Sequence, residues 1–162
     1  MSAPALEARL VPYTDPLVRP LLAELDHEYT VRYGHTLGDL TAEASRGAAE
    51  FGAPDGGLLL LLLDGVPVAG GAFRRYDETT AELKRIWTDS GHRRRGLGRR
   101  VLDELEREIA VRGYRRIHLT TGPRQPEARA LYLAAGYTPL FDLDLPAEQV
   151  GKHPFAKDLA DR

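Results

Sequence analysis

The residues best suited to chemistry lie in one run, Arg93-Arg94-Arg95-Gly96-Leu97-Gly98-Arg99-Arg100. Two glycines sit two apart inside a cluster of guanidinium groups. Glycine lacks the Cβ that would hold an anion away from the main chain. If a helix follows, its first unpaired amides point at that anion and its dipole favours negative charge. Flanking arginines add charge-assisted hydrogen bonds. The run therefore predicts a phosphate or pyrophosphate held at a helix start. A plain turn followed by solvated arginines is the competing reading, because short glycine patterns match by chance.

The elements around the run favour the anion site. Before it, Thr80–Thr88 alternates as a strand, with Ala81, Leu83, Arg85 and Trp87 on one face and Glu82, Lys84, Ile86 and Thr88 on the other. After it, the 98–112 helix repeats Val101, Leu102, Leu105 and Ile109 at helical spacing and stops at Gly113. Strand Arg116–Thr121 follows, so the helix is a crossover between parallel strands. Gly122–Pro126 reads as a loop. Glu127–Ala135 reads as a short helix closed by Gly136.

Upstream, Ala8–Tyr13 is a strand candidate. Leu17–Tyr33 is helical, with Asp15 as cap and Pro16 at its first position. Gly34–Gly38 is a loop and Leu40–Phe51 a second short helix. Leu58–Leu63 and Val66–Tyr76 form a hairpin through Asp64-Gly65, and Gly70-Gly71 inside it suggests a bulge or a close backbone approach. Tyr137–Leu143 and Phe155–Leu159 are the last strands. The order β-α-α-β-β-β-α-β-α-β-β describes one α+β domain, residues 1–162, around a mixed sheet flanked by helices.

Composition narrows the partners. The net charge of −2 gives no global attraction to nucleic acid or an anionic membrane, so the basic run is local and suits a small anionic ligand. There is no cysteine, which excludes disulfides, thiolate metal sites and thiol nucleophiles. The five histidines lack metal-ligand spacing, so no metal is expected. The longest apolar run, Leu58–Leu63, falls far below the roughly 20 residues of a membrane span, and Met1–Leu10 lacks a signal core. These features point to a cytoplasmic protein. Only Lys84, Lys152 and Lys157 among 22 basic residues are lysine, a bias that fits a GC-rich bacterial genome.

Three stretches together resemble the GNAT superfamily of acetyl-CoA-dependent N-acetyltransferases. Arg93-x-x-Gly96-x-Gly98 matches the family's Arg/Gln-x-x-Gly-x-Gly/Ala pyrophosphate loop. Ala81–Thr88 is similar to its central strand, and Ala128-x-x-Leu131-Tyr132-x-x-x-Gly136-Tyr137 to its Asn-x-x-Ala-x-x-Leu-Tyr-x-x-x-Gly-Phe pattern. The departure is Gln125 in place of the usual Asn, which keeps the amide but lengthens its reach by a methylene.

The resemblance implies a GNAT-like fold whose strands Thr80–Thr88 and Arg116–Thr121 splay apart to form the acetyl-CoA cleft. Amides from Arg94 to Arg99 would meet the pyrophosphate, with arginines of the run, two or three of Arg93, Arg94, Arg95, Arg99 and Arg100, reaching phosphate oxygens. Gly96, Leu97, Gly98, Gln125 and Ala128 would complete the cofactor-binding wall, and pantetheine would pair with the backbone of Ile86, Trp87 and Thr88. An amine would attack the thioester directly, in a ternary complex, with a backbone N–H near Trp87 stabilising the oxyanion. Tyr132 would protonate the departing thiolate; the bland alternative is a core aromatic. Glu82 would be the base; the alternative is a paired strand glutamate. Weaker bases are Glu28, Asp26 and His118, the last more plainly structural.

Acceptor contacts would come from Glu82 and from Tyr29, Arg32, Tyr33 and His35. Their aromatic, partly basic character suits the primary amine of a small molecule, such as an amino acid or analogue. A protein or peptide acceptor, or a non-catalytic CoA-binding domain, is the alternative, and a homodimer is left open. A nucleic-acid module lacks a basic stripe. A Rossmann enzyme is disfavoured because Val101 stands where its third glycine belongs.

Overall fold

β1 (Leu6–Val11), β2 (Gly57–Leu63), β3 (Val66–Arg75), β4 (Thr80–Thr88), β5 (Arg116–Thr121), β6 (Thr138–Pro139) and β7 (His153–Asp158) are the strands of the computed structural model. It describes residues 5–34, 47–123 and 125–159. Among these the strands form one sheet in the order β1-β2-β3-β4-β5-β7-β6. Only β4 and β5 run parallel; the other neighbours are antiparallel. The helices are α1 (Arg19–Tyr33), α2 (Leu97–Val111), α3 (Pro126–Ala134) and α4 (Ala147–Val150). Among the described residues no helix is long and apolar enough to cross a membrane, and no side-chain group could hold a metal ion.

The leucine run of β2 is buried on both faces. Leu59 and Leu61 join Val101, Leu102, Leu105 and Ile109 of α2 in one core layer. Leu58, Leu60 and Leu62 join Leu21 and Leu22 of α1 in the other. Each fully buried side chain of this size contributes about 1.5–3 kcal/mol, so the sheet is clamped from both sides. Asp64 and Gly65 both take positive φ, 50° and 83°, and close the β2–β3 hairpin in two residues as their types predict. Asp15 caps the turn before α1 by accepting from the Leu17 amide at 2.9 Å.

One expected feature and one departure from the sequence pattern shape the site. β4 and β5 pair at Thr80↔Arg116, Ala81↔Ile117 and Glu82↔His118, and no further. Beyond that point β5 stays with β7 through Thr121↔His153, while β4 stays with β3 through Thr88↔Ala69. The parallel pair thus opens like a wedge. The opening is the one the resemblance implies; the departure is a bulge in β4 at Arg85, whose φ is 59°. The β3–β4 register shifts there, from Ala72↔Lys84 to Gly70↔Trp87. Strict alternation had placed Leu83 with Trp87 and Glu82 with Ile86. The bulge reverses this. Leu83 and Ile86 face α2, and Trp87 packs in the layer beside α1.

Other boundaries moved less. β1 begins two residues earlier than the Ala8–Tyr13 reading and ends at Val11. The expected Tyr137–Leu143 strand shrinks to Thr138–Pro139, and α4 was not foreseen. The expected Leu40–Phe51 helix falls partly outside the described residues; 47–50 are helical.

Candidate active site

The wedge between β4 and β5 is a cleft of about 840 Å³. Its walls come from β4, the loop after it, α2, β5, α3 and α1, and from Lys152 ahead of β7.

One end is an anion cradle. Asp89 secures the turn out of β4 by accepting from the Gly91 amide at 3.0 Å and bonding the His92 ring at 2.7 Å. The chain then passes through Arg94 at φ 64° and Gly96 at φ 75° into α2. A side chain at Gly96 would be strained at that φ. Gly98 packs so closely that a Cβ would lie 3.1 Å from Leu131 Cδ2 of α3. The first full-turn bond of α2 runs from the Arg100 amide to the Gly96 carbonyl at 3.1 Å, so the amides ahead of it lie outside that ladder. Arg94, Gly96, Leu97, Gly98 and Arg99 line the cleft, with Arg93 beside them. Arg95 is exposed and is not among the residues that line the cleft.

α1 crosses the mouth with one charged stripe at four-residue spacing. Glu24 accepts from the Ser90 amide at 2.7 Å and from the Trp87 indole N–H at 3.3 Å. Glu28 pairs with Arg93, and Arg32 pairs with Glu127 in the first turn of α3. The helix is therefore tied to three edges of the cleft in turn. Arg32 is committed to Glu127, so it is not the open acceptor contact expected above. Tyr29 and Tyr33 lie on the same helix, but their side chains, like His35, fall outside the described residues.

At the closed end sit Glu82 and Tyr132. Glu82 is 8% exposed. Arg74 Nε donates to its Oε1 at 2.7 Å, and His118 Nδ1 lies 3.8 Å from its Oε2. His118 stacks on Tyr76 with centroids 4.6 Å apart. Tyr132 is held by rings on two sides, Tyr137 at 5.7 Å and Phe155 at 5.6 Å. It lines the cleft, and burial pushes its phenol well above the ordinary 10.0. It therefore stays protonated through neutral and mildly alkaline pH, the state a proton donor needs.

Ile86, Trp87, Thr88, Gln125 and Ala128 all line the cleft. Past Glu82 the β4 edge has no β5 partner. The Gln125 carbonyl accepts from the Gly122 amide at 2.9 Å and from Thr121 Oγ1 at 3.2 Å, so the longer amide closes the β5–α3 turn. Asp26 does not line the cleft. Sequence reasoning missed Lys84, Arg85 and Lys152 as cleft residues. For Lys84 and Arg85 the hidden signal was the bulge, because arginine in a left-handed position reads as ordinary strand. For Lys152 no local signal existed.

The model of the acetyltransferase (GNAT) family matches residues 19–137, more than half of the chain. The chain belongs to this family. A curated relative, the uncharacterized N-acetyltransferase YsnE of Bacillus subtilis, is 35% identical over 77 residues, 46% of this chain and 51% of that protein. The match thus spans about half of that relative. Among solved structures, a GNAT-family acetyltransferase of Staphylococcus aureus superposes with TM-score 0.74 at 17% identity, covering 96% of this chain and 100% of the other. The yncA structure of Salmonella typhimurium, solved with its cofactor acetyl-CoA, has TM-score 0.70 at 15% identity, covering 98% of this chain and 96% of the other. The expected fold, a mixed sheet flanked by helices, is borne out.

Proposed function

We propose that the protein moves the acetyl group of acetyl-CoA to the primary amine of a small molecule, such as an amino acid or analogue, by direct attack in a ternary complex. One observation carries this reading. The wedge joins an anion cradle at Arg94–Arg99 to a buried carboxylate and a protonated phenol, Glu82 and Tyr132, in one cleft.

The residues present fit acetyl-CoA. Positive φ at Gly96, the close seat of Gly98 and the amides ahead of Arg100 suit a pyrophosphate. The β4 edge at Ile86–Thr88 suits an amide-bearing arm that adds as a strand. Bound acetyl-CoA would supply the activated acyl group. Glu82, with Oε1 fixed by Arg74, takes a proton from the acceptor amine. The Tyr132 hydroxyl gives one to the departing sulfur. An amide near Trp87 polarises the reacting carbonyl.

The test is product analysis by mass spectrometry after incubating acetyl-CoA with amines, alcohols and peptides. An N-acetylated small amine supports the reading. An O-acetylated product, or modification of peptides alone, overturns it.

A further inference from the structure

Cations in this molecule are mostly matched to acids. Arg74 is shared between Glu82 and Glu50, Arg112 pairs with Glu108, and Lys157 pairs with Glu106. Lys84 and Lys152 differ. Both line the cleft, and neither forms an ion pair or hydrogen bond among the described residues. They approach from opposite walls. Lys84 projects from β4 on the α1 side, level with Ala72. Lys152 precedes His153, which pairs with Thr121 at the end of β5.

Arg85 joins them. The bulge turns it to the same side as Lys84, where its Nε donates to the Tyr13 hydroxyl at 3.4 Å. A left-handed arginine costs about 1 kcal/mol or more, and here that strain places a second cation beside the first. Burial pushes the Lys84 ammonium below its ordinary 10.5. Glu82 opposes this, while Arg74, Arg85 and Lys152 add to it. Of the acids that line the cleft among the described residues, Glu82 is engaged by Arg74, Glu28 by Arg93 and Glu127 by Arg32. Like charges gathered in a half-buried place are unfavourable until an anion joins them.

We propose that the acceptor carries an anionic group, a carboxylate or a phosphate-like oxyanion on a small amine, seated against Lys84 and Lys152 while its amine faces Glu82. This rests on the acetyl-transfer reading and names its substrate class and the residues that read it. The same positive field favours the neutral amine over the ammonium, and the neutral form is the nucleophile. A cationic partner surface would be repelled.

The experiment uses standard α-amino acids, each beside its amide, its decarboxylated amine and its aminophosphonate, with acetyl-CoA and the whole protein. Wild type, Lys84→Gln and Lys152→Gln are compared. At least one acid or phosphonate is expected to exceed its amide by about tenfold or more in kcat/KM, as one charge-assisted contact would give. Acid and phosphonate arms tell the two oxyanions apart. Lys84→Gln is expected to remove that advantage by raising KM for the anion, with the amide unaffected and CoA affinity by calorimetry unchanged. Lys152→Gln, on an exposed side chain, guards against misfolding of the first variant. Equal rates for acid and amide, or equal losses on both, would overturn the proposal. If no amine reacts, the transfer reading fails, and the same acids are titrated into CoA-loaded protein. Binding that Lys84→Gln abolishes keeps the anion site; no binding sinks it.

Discussion

Two buried glutamates, one bonded to a buried tyrosine and one sharing a cleft with another, show how the same residue types serve different ends. Glu106 of α2 is 1% exposed. The Tyr137 hydroxyl donates to its Oε2 at 3.0 Å and Lys157 Nζ to its Oε1 at 2.9 Å. Lys157 also donates to the Ala135 carbonyl at 2.9 Å. The group fastens α2 to β7 and to the end of α3. Glu82 has one oxygen on Arg74 and the other facing His118 at 3.8 Å beside a cleft. Tyr132 faces that cleft, and among the described residues no protein group bonds its hydroxyl. A satisfied network rigidifies. One with capacity to spare can exchange protons with a ligand.

The contrast predicts opposite outcomes for matched substitutions. Lys157→Ala orphans the Glu106 carboxylate and should cost about 3 kcal/mol, at the low end for a broken buried pair because lysine is partly exposed. Denaturant midpoints would show it, with KM for acetyl-CoA unchanged. Tyr132→Phe should lower turnover by about a hundredfold, the usual contribution of a positioned acid, while calorimetry finds CoA binding intact. Tyr137→Phe should do the reverse, keeping turnover and losing about 1–3 kcal/mol of stability. Turnover preserved in Tyr132→Phe would make both tyrosines structural.

Glu82→Gln should lower kcat/KM by about a hundredfold, the low end for a positioned base. An unchanged kcat/KM would place the base elsewhere. Arg94→Ala should raise KM for acetyl-CoA by about tenfold through a lost charge-assisted contact, with Arg95→Ala changing it less. The stability profile at high pH follows from the tyrosines. Burial raises both phenols above the ordinary 10.0, so the folded state holds their protons longer than the unfolded state. Their contribution is complete below pH 10.0 and is lost as pH rises past it. Thermal melting across that range would show a slower alkaline decline in Tyr137→Phe.

Much of this was legible in the sequence because local rules act alone there. The Gly96/Gly98 loop, the α2 stripe, the Asp64-Gly65 hairpin and the span of β4 all follow from neighbours within a turn or two. What the sequence hid is long-range or disguised. The bulge sits on Arg85, where only a glycine would have flagged a positive φ. Its displacement changed which face Glu82 shares. The Glu24, Glu28 and Arg32 stripe was visible as polar spacing, but its partners Ser90, Arg93 and Glu127 come from three other segments. Lys152 reaches the cleft only because β7 inserts between β5 and β6. β6 stops where Leu140 donates to the Pro154 carbonyl at 2.9 Å and Pro154, with no amide, returns no bond, cutting short a strand that apolar content had extended.

The most direct measurement is thiol release from acetyl-CoA by the purified protein, with and without amine acceptors, beside a calorimetric titration with CoA. Saturable CoA binding with thiol release that requires an amine is the predicted result. Absence of CoA binding, with no release under any condition, would contradict the assignment of the β4–β5 cleft.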